Sequence, residues 1–172
     1  MVVSIVSLCV CCKSGKQRFL LWAKKRYSAL FYIISIVLIL LSIIIVIGVL
    51  SKIEAYYGLS NSDKLKAMLQ LLWKNKALLL FTTLTAGIME ELLFRGYLMP
   101  RLQLFLKNIW HTLIISSLLF GLAHDSYGSW TQMINPFIIG LIFAFHYQKY
   151  RNIKVLILCH FLLDFISVLT TH

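Results

Sequence analysis

The sequence predicts an all-α, polytopic membrane helical bundle with about five transmembrane helices plus an interfacial amphipathic helix. Three observations carry that expectation. Of 172 residues, 60% are hydrophobic and 13% are charged, against about 25% charged in soluble domains. The mean hydropathy is +0.84. The apolar residues form continuous runs, without the alternation of a transmembrane β-strand. The net charge of +11 comes from basic residues in short segments between those runs. The positive-inside rule and anionic headgroups place them there, so membrane lipids are the expected partner and no nucleic acid is.

Residues 1–12 are apolar but too short to span, and no basic region precedes them as in a signal peptide. They suit an interfacial anchor or an upstream extension of the real start. Lys13, Lys16, Arg18, Lys24, Lys25 and Arg26 follow. Residues 1–28 thus form a basic, cytoplasmic N-terminal segment. Cys9, Cys11 and Cys12 cluster here and Cys159 stands alone, without zinc-site or disulfide spacing.

Residues 29–50 carry no charge and exceed the roughly 20 residues a bilayer core needs, giving the first span. Residues 51–76 form a polar connection, in which Ser60, Asn61, Ser62 and Asp63 offer helix caps. Leu65, Met68, Leu69, Leu72 and Trp73 then recur at helical spacing, so 63–75 reads as an amphipathic interfacial helix. Residues 29–76 are the anchor helix and its amphipathic connector.

The second span, 77–99, contains Glu90, Glu91 and Arg95 and meets Pro100, which is expected to end or kink it. Residues 101–108 read as a short connector. Residues 109–124, 133–148 and 155–170 are the third, fourth and fifth spans, and 77–170 form the third unit of the chain. Residues 125–132 are a turn, and Lys149, Arg151 and Lys154 mark a basic loop. The distribution of Lys and Arg favours a cytoplasmic N-terminus in a multi-pass membrane protein.

Ionisable groups in hydrocarbon are costly and by default functional. The spans hold Glu90, Glu91, Arg95, His124, His160 and Asp164. Glu91 with Arg95, and His160 with Asp164, have i,i+4 spacing and share a helical face. Glu90 points about 100° away from Glu91, so Glu91 is free to pair with Arg95 while Glu90 faces a cavity. A carboxylate and two imidazoles, Glu90, His124 and His160, can hold a catalytic zinc. Without metal, Glu90 with His124 can act as general base on water while His160 and Asp164 hold the oxyanion. His111, His146 and His172 lie at span ends and receive no role. With simple antiparallel spans, His124 lies nearer the outer face than Glu90, so their meeting requires a helix to start deeper, tilt or break, expected at Pro100 and 101–108.

The ordered set Glu90-Glu91-x-x-x-Arg95, Phe120-x-x-x-His124 and His160-x-x-x-Asp164 resembles the three motifs of the CAAX protease and bacteriocin-processing (CPBP, or Abi) family, over roughly residues 77–170. The resemblance implies a metal- or glutamate-dependent intramembrane endopeptidase. Glu90 would activate water, Glu91, Arg95 and Phe120 would support it, and His124 and His160 would activate water or bind metal. Asp164 stands where relatives carry Asn or Asp, and an Asp donates as an amide does only when protonated. The substrate would be a membrane-associated peptide or protein, with bacteriocin maturation or self-immunity as the role. Small size and the lack of eukaryotic targeting features favour a bacterial source. The alternatives are a non-catalytic immunity or scaffold protein of the same fold, and a proton-coupled carrier. The lack of duplicated halves speaks against the carrier.

Overall fold

The computed structural model of the chain describes residues 26–59, 63–125 and 130–170, and every element among them is helical. The expectations for residues 1–12, the basic run before Arg26, the cap candidates Ser60, Asn61 and Ser62, and the centre of the 125–132 turn lie outside the described residues.

Among the described residues six helices follow in order: α1 (Ala29–Tyr56), α2 (Asp63–Lys74), α3 (Lys76–Leu106), α4 (Ile109–Leu122), α5 (Thr131–Tyr150) and α6 (Ile153–Thr170). Three of them, α1, α3 and α6, are long and apolar enough to cross a membrane, and α4 is a shorter apolar helix. Together they make a helical membrane bundle. α1 buries only a stripe, Ser35, Ile39 and Ile43, and exposes Ile33, Val37, Leu41 and Ile44 on its outer side. In water such exposure would be costly, whereas lipid makes it neutral. Ile39 and Ile43 join a core with Phe143, Tyr147, Leu156 and Cys159 of α5 and α6. α2 is the expected amphipathic helix, and its Leu72 packs with Leu79 of α3 and Val168 of α6.

Side-chain caps set the helix boundaries. Asn75 accepts from Leu78 N at 3.1 Å and starts α3. Two turns share one design. Lys107 (φ 55°) takes the left-handed conformation and Asn108 then caps α4; Arg151 (φ 54°) does the same and Asn152 caps α6. The left-handed residue ends one helix and the Asn oxygen satisfies free N–H groups of the next.

The second span departs from expectation. Pro100 does not end it: α3 runs on to Leu106, its last part Met99–Leu106 being the short helical piece expected as a connector. Its residues Leu92–Leu98 are π-helical, and the N–H of Met99 bonds to the carbonyl of Phe94. This widened turn immediately precedes Pro100 and shifts the carbonyls that the ring would otherwise meet, so the helix absorbs the proline without breaking.

Candidate active site

The site begins where α3 changes pitch. Glu90 and Glu91 close the α-helical part, and Arg95 lies inside the π-helical turn. Arg95 Nη1 donates to Glu91 Oε1 at 2.9 Å, with both side chains fully buried. Arg95 Nη2 donates to the carbonyl of Gly140 at 3.2 Å, tying α3 to α5. The guanidinium lies 4.5 Å from the centre of the Phe120 ring and 5.5 Å from that of Phe143. A charge buried this deeply needs such partners on every side.

The same Glu91 oxygen receives His160 Nδ1 at 2.9 Å. A carboxylate only accepts, so Nδ1 carries a proton and Nε2 is turned the other way. His124 is oriented by different means. Its Nδ1 lies 2.9 Å from the carbonyl of Phe120, one helical turn earlier. That carbonyl also only accepts, so Nδ1 carries the proton and the neutral ring has a bare Nε2. The i,i+4 spacing of Phe120 and His124 is the distance that this bond requires.

Both Nε2 atoms face Glu90. Glu90 Oε2 is 3.9 Å from His124 Nε2 and 3.8 Å from His160 Nε2. That oxygen is buried and has no hydrogen-bond partner. Asp164 Oδ2 lies 3.5 Å from His160 Nε2 at the exposed edge. The four residues expected to act, Glu90, His124, His160 and Asp164, are therefore together, on Glu91, Arg95 and Phe120.

The meeting of His124 with Glu90 does not need a broken helix. Both residues are 17 positions from Lys107, on opposite sides of the α3–α4 turn. Antiparallel helices place equidistant residues at one depth. Phe94 and Phe120, one turn nearer the hairpin, obey the same register with rings 4.9 Å apart.

His111 begins α4, at the hairpin end, and does not join the group. His146 packs against Phe31 and Tyr150, away from it. Three contributors were not anticipated: the Gly140 carbonyl and the Phe94 and Phe143 rings around Arg95. Gly121 was missed as well. A Cβ there would lie 2.7 Å from the carbonyl oxygen of Met133 and 2.9 Å from Phe137 Cβ. Gly121→Ala must push α4 from α5 and carry His124 with it. A displacement near 1 Å at a catalytic group costs about 10²-fold in rate. Any activity that uses His124 should fall by that order in Gly121→Ala while the membrane-inserted yield stays normal, as measured on purified protein.

A family profile described as type II CAAX prenyl endopeptidase Rce1-like matches residues 72–166, more than half of the chain. No curated protein and no solved structure matches the chain. All the residues of the site fall inside the matched segment.

Proposed function

Because the chain belongs to the Rce1-like family of type II CAAX prenyl endopeptidases, we propose that it hydrolyses a peptide bond of a membrane-associated peptide or protein by way of a water activated at Glu90. The observation that carries this reading is the convergence of two imidazole Nε2 atoms, 3.8 and 3.9 Å away, on the unpartnered Glu90 Oε2. One water oxygen about 2.8 Å from each group spans those separations.

Glu90 takes a proton from the water, and the hydroxide attacks the scissile carbonyl carbon. His124 accepts from the water and fixes its direction. The tetrahedral oxyanion lies against His160, which donates from Nε2 when it carries a second proton, and against Asp164, which donates when protonated. Collapse breaks the C–N bond, and the proton held on Glu90 passes to the departing amine. The products are a carboxylate and an amine, with no covalent intermediate. Glu91 and Arg95 hold His160 in the orientation that these steps need.

Zinc is matched by donor type, and Glu90, His124 and His160 would hold it. Bound there, it would supply a Lewis acid and a more acidic water. The 3.8 and 3.9 Å separations are wider than the roughly 3.3 Å between ligands of a tetrahedral zinc with bonds near 2.0–2.1 Å. Among the described residues no group of three His, Cys, Asp or Glu side chains forms a ready metal site. Dialysis against a chelator should leave cleavage unchanged. Loss that only zinc restores would assign a metal to those three side chains.

Maturation of an exported peptide antibiotic, or self-immunity to one, is the biological role proposed, in a bacterial cell membrane. The test is Glu90→Gln in cells whose phenotype depends on the gene. Loss of the phenotype at normal expression supports proteolysis. Survival of the phenotype assigns a binding or scaffold role to the same fold.

A further inference from the structure

We infer that Gly87 is a positioning residue of the site: its bare Cα seats α3 on the backbone of α6 beside His160, and so sets the distance across which Glu91 and Glu90 reach that imidazole. The consequence for rate rests on the peptidase reading above; the placement of His160 does not.

The contact grows out of one stripe of α3. Its α-helical part buries Leu79, Thr83, Gly87 and Glu91, one residue in every four, and residues so spaced share a helical face. That face turns to α6, which runs antiparallel to it. Leu79 packs with Val168, Gly87 lies against Ile157, His160 and Phe161, and Glu91 bonds to His160. A side chain holds two helices apart by its bulk, and in a membrane small residues let the backbones come together. Glycine weakens a helix interior relative to alanine. What it contributes at position 87 is the close approach itself.

The approach is to backbone. A Cβ at 87 would lie 3.2 Å from the Ile157 carbonyl oxygen and 3.2 Å from the Phe161 nitrogen, with His160 Cβ at 3.6 Å. In an α-helix those two backbone groups, four residues apart, are each other's hydrogen-bond partners. α3 therefore rests on the turn of α6 that carries His160. Backbone cannot swing aside as the end of a flexible side chain can. A methyl group at 87 makes α6 give by a few tenths of an ångström, and His160 goes with it. Glu91 cannot follow. Its Oε1 is held by Arg95 Nη1 at 2.9 Å, and Arg95 is held by the Gly140 carbonyl at 3.2 Å. The gap opens in the bond from His160 Nδ1 to Glu91 Oε1, which is 2.9 Å long. That leaves little room before the roughly 3.2 Å limit of a good N–H···O bond. His124 stays in place, because it is joined to Glu90 through the α3–α4 turn and not through α6. Gly87 thus governs one imidazole and Gly121 the other.

The test is Gly87→Ala in the full chain in lipid vesicles, with Gly48→Ala as control, since a Cβ at 48 meets nothing within 4 Å. In protein labelled with ¹⁵N-histidine, the Nδ1–H signal that His160→Gln removes should move upfield in Gly87→Ala as its hydrogen bond lengthens. The signal that His124→Gln removes should not move, and Gly48→Ala should move neither. With a fluorogenic lipid-anchored peptide, kcat of Gly87→Ala should fall about 3- to 10-fold, scaled from about 10²-fold for a 1 Å misplacement, with KM unchanged. A merely structural contact would lower the melting temperature and leave the His160 signal and kcat of the folded protein alone; that result overturns the inference. An equal shift of both imidazole signals overturns it as well. The contact is also read in the unmodified chain: magnetisation transfer between Gly87 Cα and Phe161 N should be seen, and its absence overturns the inference whatever the variant does. The His160 shift with no cleavage by the wild type overturns the peptidase reading and leaves the placement of His160 by Gly87 standing.

Discussion

Glu90→Gln should abolish peptide cleavage and leave the protein as stable as the wild type. A general base contributes typically 10²–10⁴-fold, and here the same group both takes and returns the proton, so a loss near the upper end is expected. The amide keeps the volume of the carboxylate but cannot take a proton from water. Stability should change little because Glu90 Oε2 has no hydrogen-bond partner to lose and the side chain is one-third exposed. Thermal unfolding in detergent checks the second half, and product formation by mass spectrometry checks the first. A variant that unfolds would place Glu90 in the scaffold and not in the chemistry.

Glu91→Ala should do the reverse and damage the fold first. It strands Arg95 in a site with 1% exposure, against three aromatic rings and one carbonyl. Removing one partner of a buried ion pair costs about 3–5 kcal/mol. That is a large part of the roughly 5–15 kcal/mol that holds a typical domain together. The double variant Glu91→Met with Arg95→Met separates structure from function. Well-packed apolar residues often replace a buried pair without loss, so thermal stability should return. Activity should not, because His160 Nδ1 loses the acceptor at 2.9 Å that turns its Nε2 toward Glu90. Recovery of cleavage in the double variant would remove Glu91 from the positioning of His160.

The ionisable residues of the candidate site were legible in the sequence because few ionisable groups can sit in a membrane. Only six acids exist in the chain, and three of them, Glu90, Glu91 and Asp164, are at the site. The i,i+4 spacings gave the Glu91–Arg95 pair directly. They gave only half of His160, whose firmest bond is to Glu91, on another helix, and not to Asp164, on its own. The continuity of α3 was not legible, for a physical reason. Pro100 signals a helix end, but the π-helical turn before it removes the clash, and nothing in Leu92–Leu98 announces a change of pitch. With α3 unbroken, the hairpin centred on Lys107 sets the depth of both Glu90 and His124. The Asn108 and Asn152 caps, each after a basic residue, were the available signal for the two hairpins. The Gly140 carbonyl offers no signal, since any residue carries one.

The most direct measurement is a cleavage reaction run in ¹⁸O-water, with purified wild-type and Glu90→Gln protein in lipid vesicles and a set of membrane-anchored peptides. The predicted result is a new peptide C-terminus that carries one ¹⁸O atom in the wild-type reaction, an unlabelled Glu90 after a single turnover, and no product from Glu90→Gln. Product from Glu90→Gln at the wild-type rate, or ¹⁸O entering Glu90 during turnover, would contradict water activation by this carboxylate.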